Sequence, residues 1–172
     1  MLFLSDWLTD LLTKYICNPT TIKTTLSWIS LFYATITITC EDFESYNGAS
    51  YYTGTAVLTA GTWDFTSVFK ETATHGGTVA CRNNDDVAGA NITSPSFSTV
   101  GTVSFWCRPL NPETSTFQLQ KSVNGGAFTT IDSYDYGAST SFVEYTYAIN
   151  EISSDVKIRI LNDRYYSILE FV

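Results

Sequence analysis

From residue 35 onward, apolar side chains recur at every second position along most of the chain. The pattern is clearest in the segments 103–107 and 156–160, where the residues of one face are Val103, Phe105, Cys107, Val156, Ile158 and Ile160. A period of two is the period of a β-strand, whose successive side chains point to opposite faces. No segment beyond residue 35 keeps the period of about 3.6 residues that a helix requires. This part of the chain is therefore predicted to be all-β.

Turn-forming residues separate the alternating segments. The triplet Asn124-Gly125-Gly126 is a strong hairpin signal, because Asn and Gly tolerate the positive φ angles of a tight turn. Gly76-Gly77 and Asn111-Pro112 divide other segments in the same way. Many short strands at a spacing of about ten residues are typical of an antiparallel sandwich or barrel. Strand–helix–strand alternation is missing from the pattern, which argues against a parallel α/β fold.

Residues 1–34 form a segment of different character. Apolar residues at helical spacing predict an amphipathic helix that ends before Pro19. A second apolar run follows Lys23 and ends at Ala34, which is the outline of a secretory signal. This run is too short to span a bilayer of about 30 Å, so no stable transmembrane span is expected. We interpret 1–34 as a helical or signal-like N-terminal extension and 35–172 as the β-sandwich domain. For 1–34 the sequence favours a secretory signal; the alternative is a helical extension without that role, or an upstream start codon joined to the true coding region.

Composition restricts the function. Nine Lys and Arg stand against 17 Asp and Glu, and the net charge of −8 disfavours a nucleic-acid partner, which needs clustered cations. His75 is the single histidine, so little material exists for a zinc site or a His-dependent triad. No phosphate-binding glycine loop or cofactor fingerprint occurs. A non-catalytic protein is therefore expected, and a glycan-active hydrolase using two carboxylates is the less favoured alternative.

The order of several motifs carries a resemblance to a known family. The matching pieces are CEDFES at 40–45, GTWDF at 61–65, GGTVACRN at 76–83, ITSPSFSTVGTVSFWCR at 92–108, FQLQKSVNGGAFTTI at 117–131 and VKIRILND at 156–163. Together they resemble secreted bacterial jelly-roll modules of surface and type IX-secreted proteins, which are similar in style to MAM-type and galactose-binding-like carbohydrate-binding domains. The resemblance implies an antiparallel jelly-roll β-sandwich and an extracellular or cell-surface location. It also implies attachment to other domains of a larger parent protein.

The same resemblance implies a structural calcium ion. In modules of this style an acidic residue after the first strand, with carboxylates of the last strand, can hold Ca²⁺; here the matching residues are Glu41, Asp42 and Glu44. Calcium takes six to eight oxygen ligands and tolerates irregular loops. The adjacent aspartates that commonly close the family's last strand are missing after Arg164, which favours a C-terminally truncated chain. Their absence also leaves open the alternative of a solvated acidic turn.

Aromatic residues in loop-like surroundings are the candidate ligand contacts. Sugar recognition uses flat aromatic faces beside planar polar side chains, and the candidates are Trp63, Trp106, Arg108, Tyr134 and Tyr136. The alternative for each aromatic residue is core packing, because sandwiches use Trp and Tyr heavily for that purpose. We predict a non-catalytic binding module for a polysaccharide or glycoconjugate. A structural adhesion or stalk domain without a small ligand is the main alternative.

Two cysteines lie in alternating segments. Cys81 and Cys107 each alternate with apolar neighbours, which favours buried small side chains. A disulfide between them is the alternative that the sequence leaves open.

Overall fold

The computed structural model describes residues 40–84, 86–109, 116–135, 140–164 and 167–171, with side chains described as far as Asn162. The strands of this part are β1 (Tyr52–Leu58), β2 (Gly61–Glu71), β3 (Ala80–Asn83), β4 (Asn91–Thr93), β5 (Phe97–Pro109), β6 (Thr116–Val123), β7 (Thr129–Asp135), β8 (Val143–Arg164) and β9 (Ser167–Phe171). The described residues contain no helix long and apolar enough to cross a membrane. The predicted segment 1–34 and the strand expected at 35–39 lie outside the described residues.

All strand pairings are antiparallel, and two long strands take part in both layers of the sandwich. In β2, residues 64–66 pair with β4, whereas residues 68–71 pair with β3. In β8, residues 143–152 pair with β5, whereas residues 156–164 pair with β6. Sheet 1 therefore has the order β1-β2-β4-β8-β6-β7, and sheet 2 has the order β2-β3-β9-β5-β8. Because β2 and β8 pass from one sheet into the other, the two layers enclose the core from both sides.

The core consists of the apolar residues that the alternation placed inward. The side chains of Phe105, Cys107, Phe117 and Leu119 are all completely buried, as are Val156 and Ile160 of β8. The Phe105 and Phe117 rings meet edge to face with centroids 5.5 Å apart, a favourable aromatic geometry. Burial of a Leu or Phe side chain contributes about 1.5–3 kcal/mol. The alternating pattern therefore supplies the main stabilising contacts.

Two side chains differ in exposure from what alternation predicts. Alternation with the buried Phe117 and Leu119 places Gln120 on the outer face, yet Gln120 is only 7% exposed because its amide is enclosed in a side-chain hydrogen-bond network with Gln118 and Arg159. Alternation groups Val143 with the buried Tyr145 and Ile149, yet Val143 is 45% exposed, at the first residue of β8. Cys81 has a free thiol in the core, so the Cys81–Cys107 disulfide is not formed and the buried-side-chain interpretation holds.

The hairpin between β6 and β7 has the predicted turn. Asn124 and Gly125 have φ angles of 53° and 69°, the left-handed conformations that an Asn-Gly pair adopts at little cost. The Gly126 N–H donates to the Val123 carbonyl at 3.0 Å and closes the turn. The turn therefore sets the register in which β7 pairs with β6 at the edge of sheet 1.

Candidate functional site

Trp63 does not provide an exposed aromatic face, which corrects the sequence-based prediction. Its side chain is 2% exposed, and its ring lies edge to face with that of Phe43 at a centroid distance of 5.1 Å. The period of two explains this position, because Trp63 shares the inward face of β2 with Phe65. Trp63 is a core residue.

Tyr134 lies on β7, away from the other candidates. It is 41% exposed, and its ring contacts Tyr145 at 4.3 Å and Phe117 at 5.8 Å between centroids. Its ligand role stays a prediction. Tyr136 lies outside the described residues, so its predicted role stays a prediction too.

Trp106 and Arg108 share the outer face of β5 in sheet 2. Their neighbours Phe105 and Cys107 are completely buried on the opposite face, as the alternation requires. Both outward side chains are half-buried. The structure thus brings together two of the predicted residues, and their ligand roles stay predictions.

Two residues that the sequence analysis did not predict as ligand contacts, His75 and Phe142, complete this surface. The His75 ring stacks on Trp106 with centroids 3.7 Å apart and planes 8° apart. Phe142 meets His75 edge to face at 5.7 Å, and the Arg108 guanidinium carbon lies 5.2 Å from the centre of the Phe142 ring. A guanidinium within about 6 Å of a ring centre makes a cation–π contact. We call His75, Trp106, Arg108 and Phe142 the Trp106 patch.

The carboxylate of Glu44 holds the loop that carries His75. Its oxygens accept hydrogen bonds from the Thr78 N–H, the Thr78 hydroxyl and the Val79 N–H, the last at 3.1 Å. The hydrogen bonds from Thr78 lower the pKa of Glu44, because they favour the ionised form. Gly77 permits this approach: its φ is 66°, and a Cβ there would collide with the Glu44 carboxylate. Glu44 is therefore a positioning residue for the Trp106 patch.

The other two acidic residues of this segment also engage the protein. Glu41 is 2% exposed, and its two oxygens accept the Phe43 N–H at 3.0 Å and the Ala60 N–H at 2.8 Å. Burial raises the pKa of Glu41, although its hydrogen bonds, including one from Trp63, act in the opposite direction. Asp42 accepts the Glu44 N–H at 3.1 Å.

These positions bear on the predicted calcium site. Among the residues with described side chains, no three His, Cys, Asp or Glu groups converge so that they could hold a metal ion. Glu41 faces the core, whereas Glu44 faces the loop at 78–79. The three residues therefore do not fit a calcium site formed from their own carboxylates, and calcium binding by the protein stays a prediction.

Comparisons with known proteins support the fold. No protein-family model and no curated protein matches the chain. The chain is similar to the K2 cleaved adhesin domain of Lys-gingipain, with a TM-score of 0.55, 13% identity, and coverage of 77% of this chain and 94% of that one. It is also similar to the CBM22-1 xylan-binding domain of Xyn10C from Paenibacillus barcinonensis (TM-score 0.47, 11% identity, coverage 71% and 87%). A third similar structure is TmCBM61 in complex with β-1,4-galactotriose (TM-score 0.47, 14% identity, coverage 63% and 83%).

At these identities the likeness shows the fold and no more. The chain is an antiparallel jelly-roll β-sandwich, which confirms the fold class that the sequence predicted.

Proposed function

We propose that the protein is a non-catalytic carbohydrate-binding module that uses the Trp106 patch. The observation that carries the proposal is a continuous series of contacts on the outer face of sheet 2, in which Trp106 stacks on His75, His75 meets Phe142, and Phe142 contacts Arg108. Ligand sites combine apolar and aromatic surface with a few well-placed polar groups, and this surface has both. The proposed setting is extracellular, with the module accessory to a larger secreted or surface protein.

The chemistry of the patch suits a saccharide. Aromatic rings offer apolar faces to the C–H groups of a sugar, and the Arg108 guanidinium presents several N–H donors to its hydroxyl oxygens. Arg108 makes only long hydrogen bonds within the described residues, to the carbonyls of Pro109 and Thr140, both at 3.4 Å. Glu144 is exposed and lies beside Trp106 in the register of β5 and β8, where it can accept hydrogen bonds from hydroxyl groups.

The experiment is a glycan-array screen followed by affinity electrophoresis in gels that contain the best polysaccharide. We expect the wild-type protein to be retarded and Trp106→Ala to migrate as it does in a gel without polysaccharide. Tyr52→Ala is the matched control, because Tyr52 is an exposed aromatic residue on β1 at the edge of sheet 1. Tyr134→Ala decides whether Tyr134 also contacts the glycan.

Two results count against the proposal. If no glycan is bound, the structural adhesion or stalk alternative is preferred. If a glycan is bound but cleaved, and replacing a carboxylate abolishes the cleavage, the hydrolase alternative is preferred.

A further inference from the structure

A row of polar side chains crosses the outer face of sheet 1. Neighbouring strands place Asp64, Thr93, Arg159, Gln120 and Thr130 opposite one another in register, from β2 through β4, β8 and β6 to β7. Residues opposite one another in an antiparallel sheet share a face. Their sequence neighbours Phe65, Ile92, Ile158, Ile160 and Leu119 are all buried in the core on the other face. We call the outward residues Asp64, Thr93, Arg159, Gln120 and Thr130, together with Gln118 and Phe128, the Arg159 row.

Hydrogen bonds fix the orientation of the guanidinium in this row. Nε and Nη2 of Arg159 donate to the Gln120 side-chain oxygen at 2.8 and 2.6 Å. The Gln120 amide nitrogen in turn donates to Gln118 at 2.8 Å and to the Thr130 hydroxyl at 3.2 Å. The Arg159 guanidinium carbon lies 3.8 Å from the centre of the Phe128 ring. The row is thus preorganised, which lowers the entropic cost of binding a ligand.

Within the part of the chain whose side chains are described, no carboxylate pairs with Arg159. Arg82 pairs with Glu71 at 2.8 Å, and Lys157 pairs with Asp64 at 3.7 Å. Among the residues with described side chains, Arg159 has no ion-pair partner, and its Nη1 has no hydrogen-bond acceptor. The Arg159 side chain is half-buried, and this burial lowers the pKa of its guanidinium because it disfavours the charged form. Its orientation is fixed by Gln120 and Nη1 is left for another acceptor, so the array offers a preorganised place for an anion.

We propose that the Arg159 row is a second binding site, for a hydroxyl-rich carboxylate such as a uronic acid residue of an acidic polysaccharide. Nη1 of Arg159 donates to the ligand carboxylate, and Gln118 and Thr130 hydrogen-bond to its hydroxyl groups. Phe128 stacks against the guanidinium. This site lies on sheet 1, and the inference does not rest on the proposed function of the Trp106 patch on sheet 2.

A single guanidinium on an acidic protein favours this ligand over a polyphosphate. A nucleic acid requires several clustered cations, and the net charge of −8 opposes its approach. One carboxylate per sugar residue matches one planar guanidinium, because the two groups share a flat geometry.

The test is isothermal titration calorimetry of the whole chain with trigalacturonate and with its methyl ester. We expect the wild-type protein to bind the acid, and the methyl ester to bind at least about tenfold more weakly, because it lacks the charge. Arg159→Gln should bind the acid more weakly to a similar extent. Arg82→Gln, the same substitution at an arginine outside the row that is paired with Glu71, should bind the acid as the wild type does. Trp106→Ala should also retain it.

Equal affinity for acid and ester would overturn the proposal, as would unchanged binding by Arg159→Gln. Equal binding of a sulfated saccharide would also overturn it, because it would indicate general anion attraction. If Arg159→Gln does not fold, the acid–ester comparison on the wild-type protein and the variant Gln118→Ala still decide the question. Failure to bind any neutral glycan would count against the proposed function of the Trp106 patch and would not bear on the Arg159 row.

Discussion

The imidazole ring of His75 lies flat on the indole ring of Trp106, with centroids 3.7 Å apart and planes 8° apart. The two residues come from distant parts of the chain, the β2–β3 loop and β5. Glu44 holds that loop through Thr78 and Val79. The acidic segment at the start of the domain therefore determines the shape of an aromatic surface on sheet 2.

Removal of the His75 ring should weaken the Trp106 patch. His75→Ala is expected to shift the fluorescence of Trp106 to the red, since its indole gains contact with water, and to weaken glycan binding by about 1 kcal/mol, the value of an aromatic pair. His75→Phe should retain both properties, because it preserves a flat ring. Fluorescence spectra and calorimetric titration measure these effects. An unchanged spectrum for His75→Ala would contradict the stacked arrangement.

Glu44 should stabilise the fold at neutral pH and lose this effect in acid. Its pKa in the folded protein lies below the ordinary value of 4.5, so its contribution is present above that pH and disappears as the pH falls through the folded pKa. Glu44→Ala should lower the Tm at pH 7 by about 2–4 °C, a modest shift because the carboxylate is exposed. The Tm difference from the wild type should shrink towards pH 3.

Glu41 should show the opposite dependence on pH. Burial raises its folded pKa above 4.5, so its contribution is complete below that value and declines as the pH rises through the folded pKa. Glu41→Gln removes this titration and one acceptor of a backbone N–H. The Tm of the wild type minus the Tm of Glu41→Gln should therefore be higher at pH 4 than at pH 7. A rise of this value between pH 4 and pH 7 would contradict the burial of this carboxylate.

The β6–β7 turn should depend on the left-handed conformation of Gly125. Its φ is 69° and its surroundings are open, so Gly125→Ala should cost about 1–2 kcal/mol through backbone strain alone. Gly101→Ala is the matched control, because a Cβ there also meets open space and its φ is not in the left-handed region. Chemical denaturation measures both variants. Equal stability of the two would show that the turn differs from the one described.

The sequence predicts the strands well, because alternation is a local property. Phe105, Phe117 and Ile160 are buried where the period of two places them. The same rule places Trp63 and Phe65 on one face of β2, so alternation indicates that Trp63 is buried. The loop-like surroundings of Trp63 indicate an exposed aromatic face instead, and the structure follows the alternation.

The Trp106 patch was only partly predictable. The positions of Trp106 and Arg108 on one face follow from their spacing of two residues. The contacts with His75 and Phe142 depend on how segments that are distant in the sequence meet in the fold. The alternation of side chains within one strand does not predict such contacts. The burial of Gln120 likewise depends on Arg159, which lies opposite it on the neighbouring strand β8 and is distant in the sequence.

The most direct test of the proposed function is a two-dimensional ¹⁵N–¹H NMR spectrum of the indole N–H groups during titration with the bound saccharide. Trp106→Phe and Trp63→Phe assign these two signals among those of the four tryptophans, and Trp63 provides an internal reference because it is buried in the core. If the Trp106 patch binds the sugar, the Trp106 signal moves in a saturable manner while the Trp63 signal stays in place. Saturable binding that leaves the Trp106 signal unmoved would contradict the account.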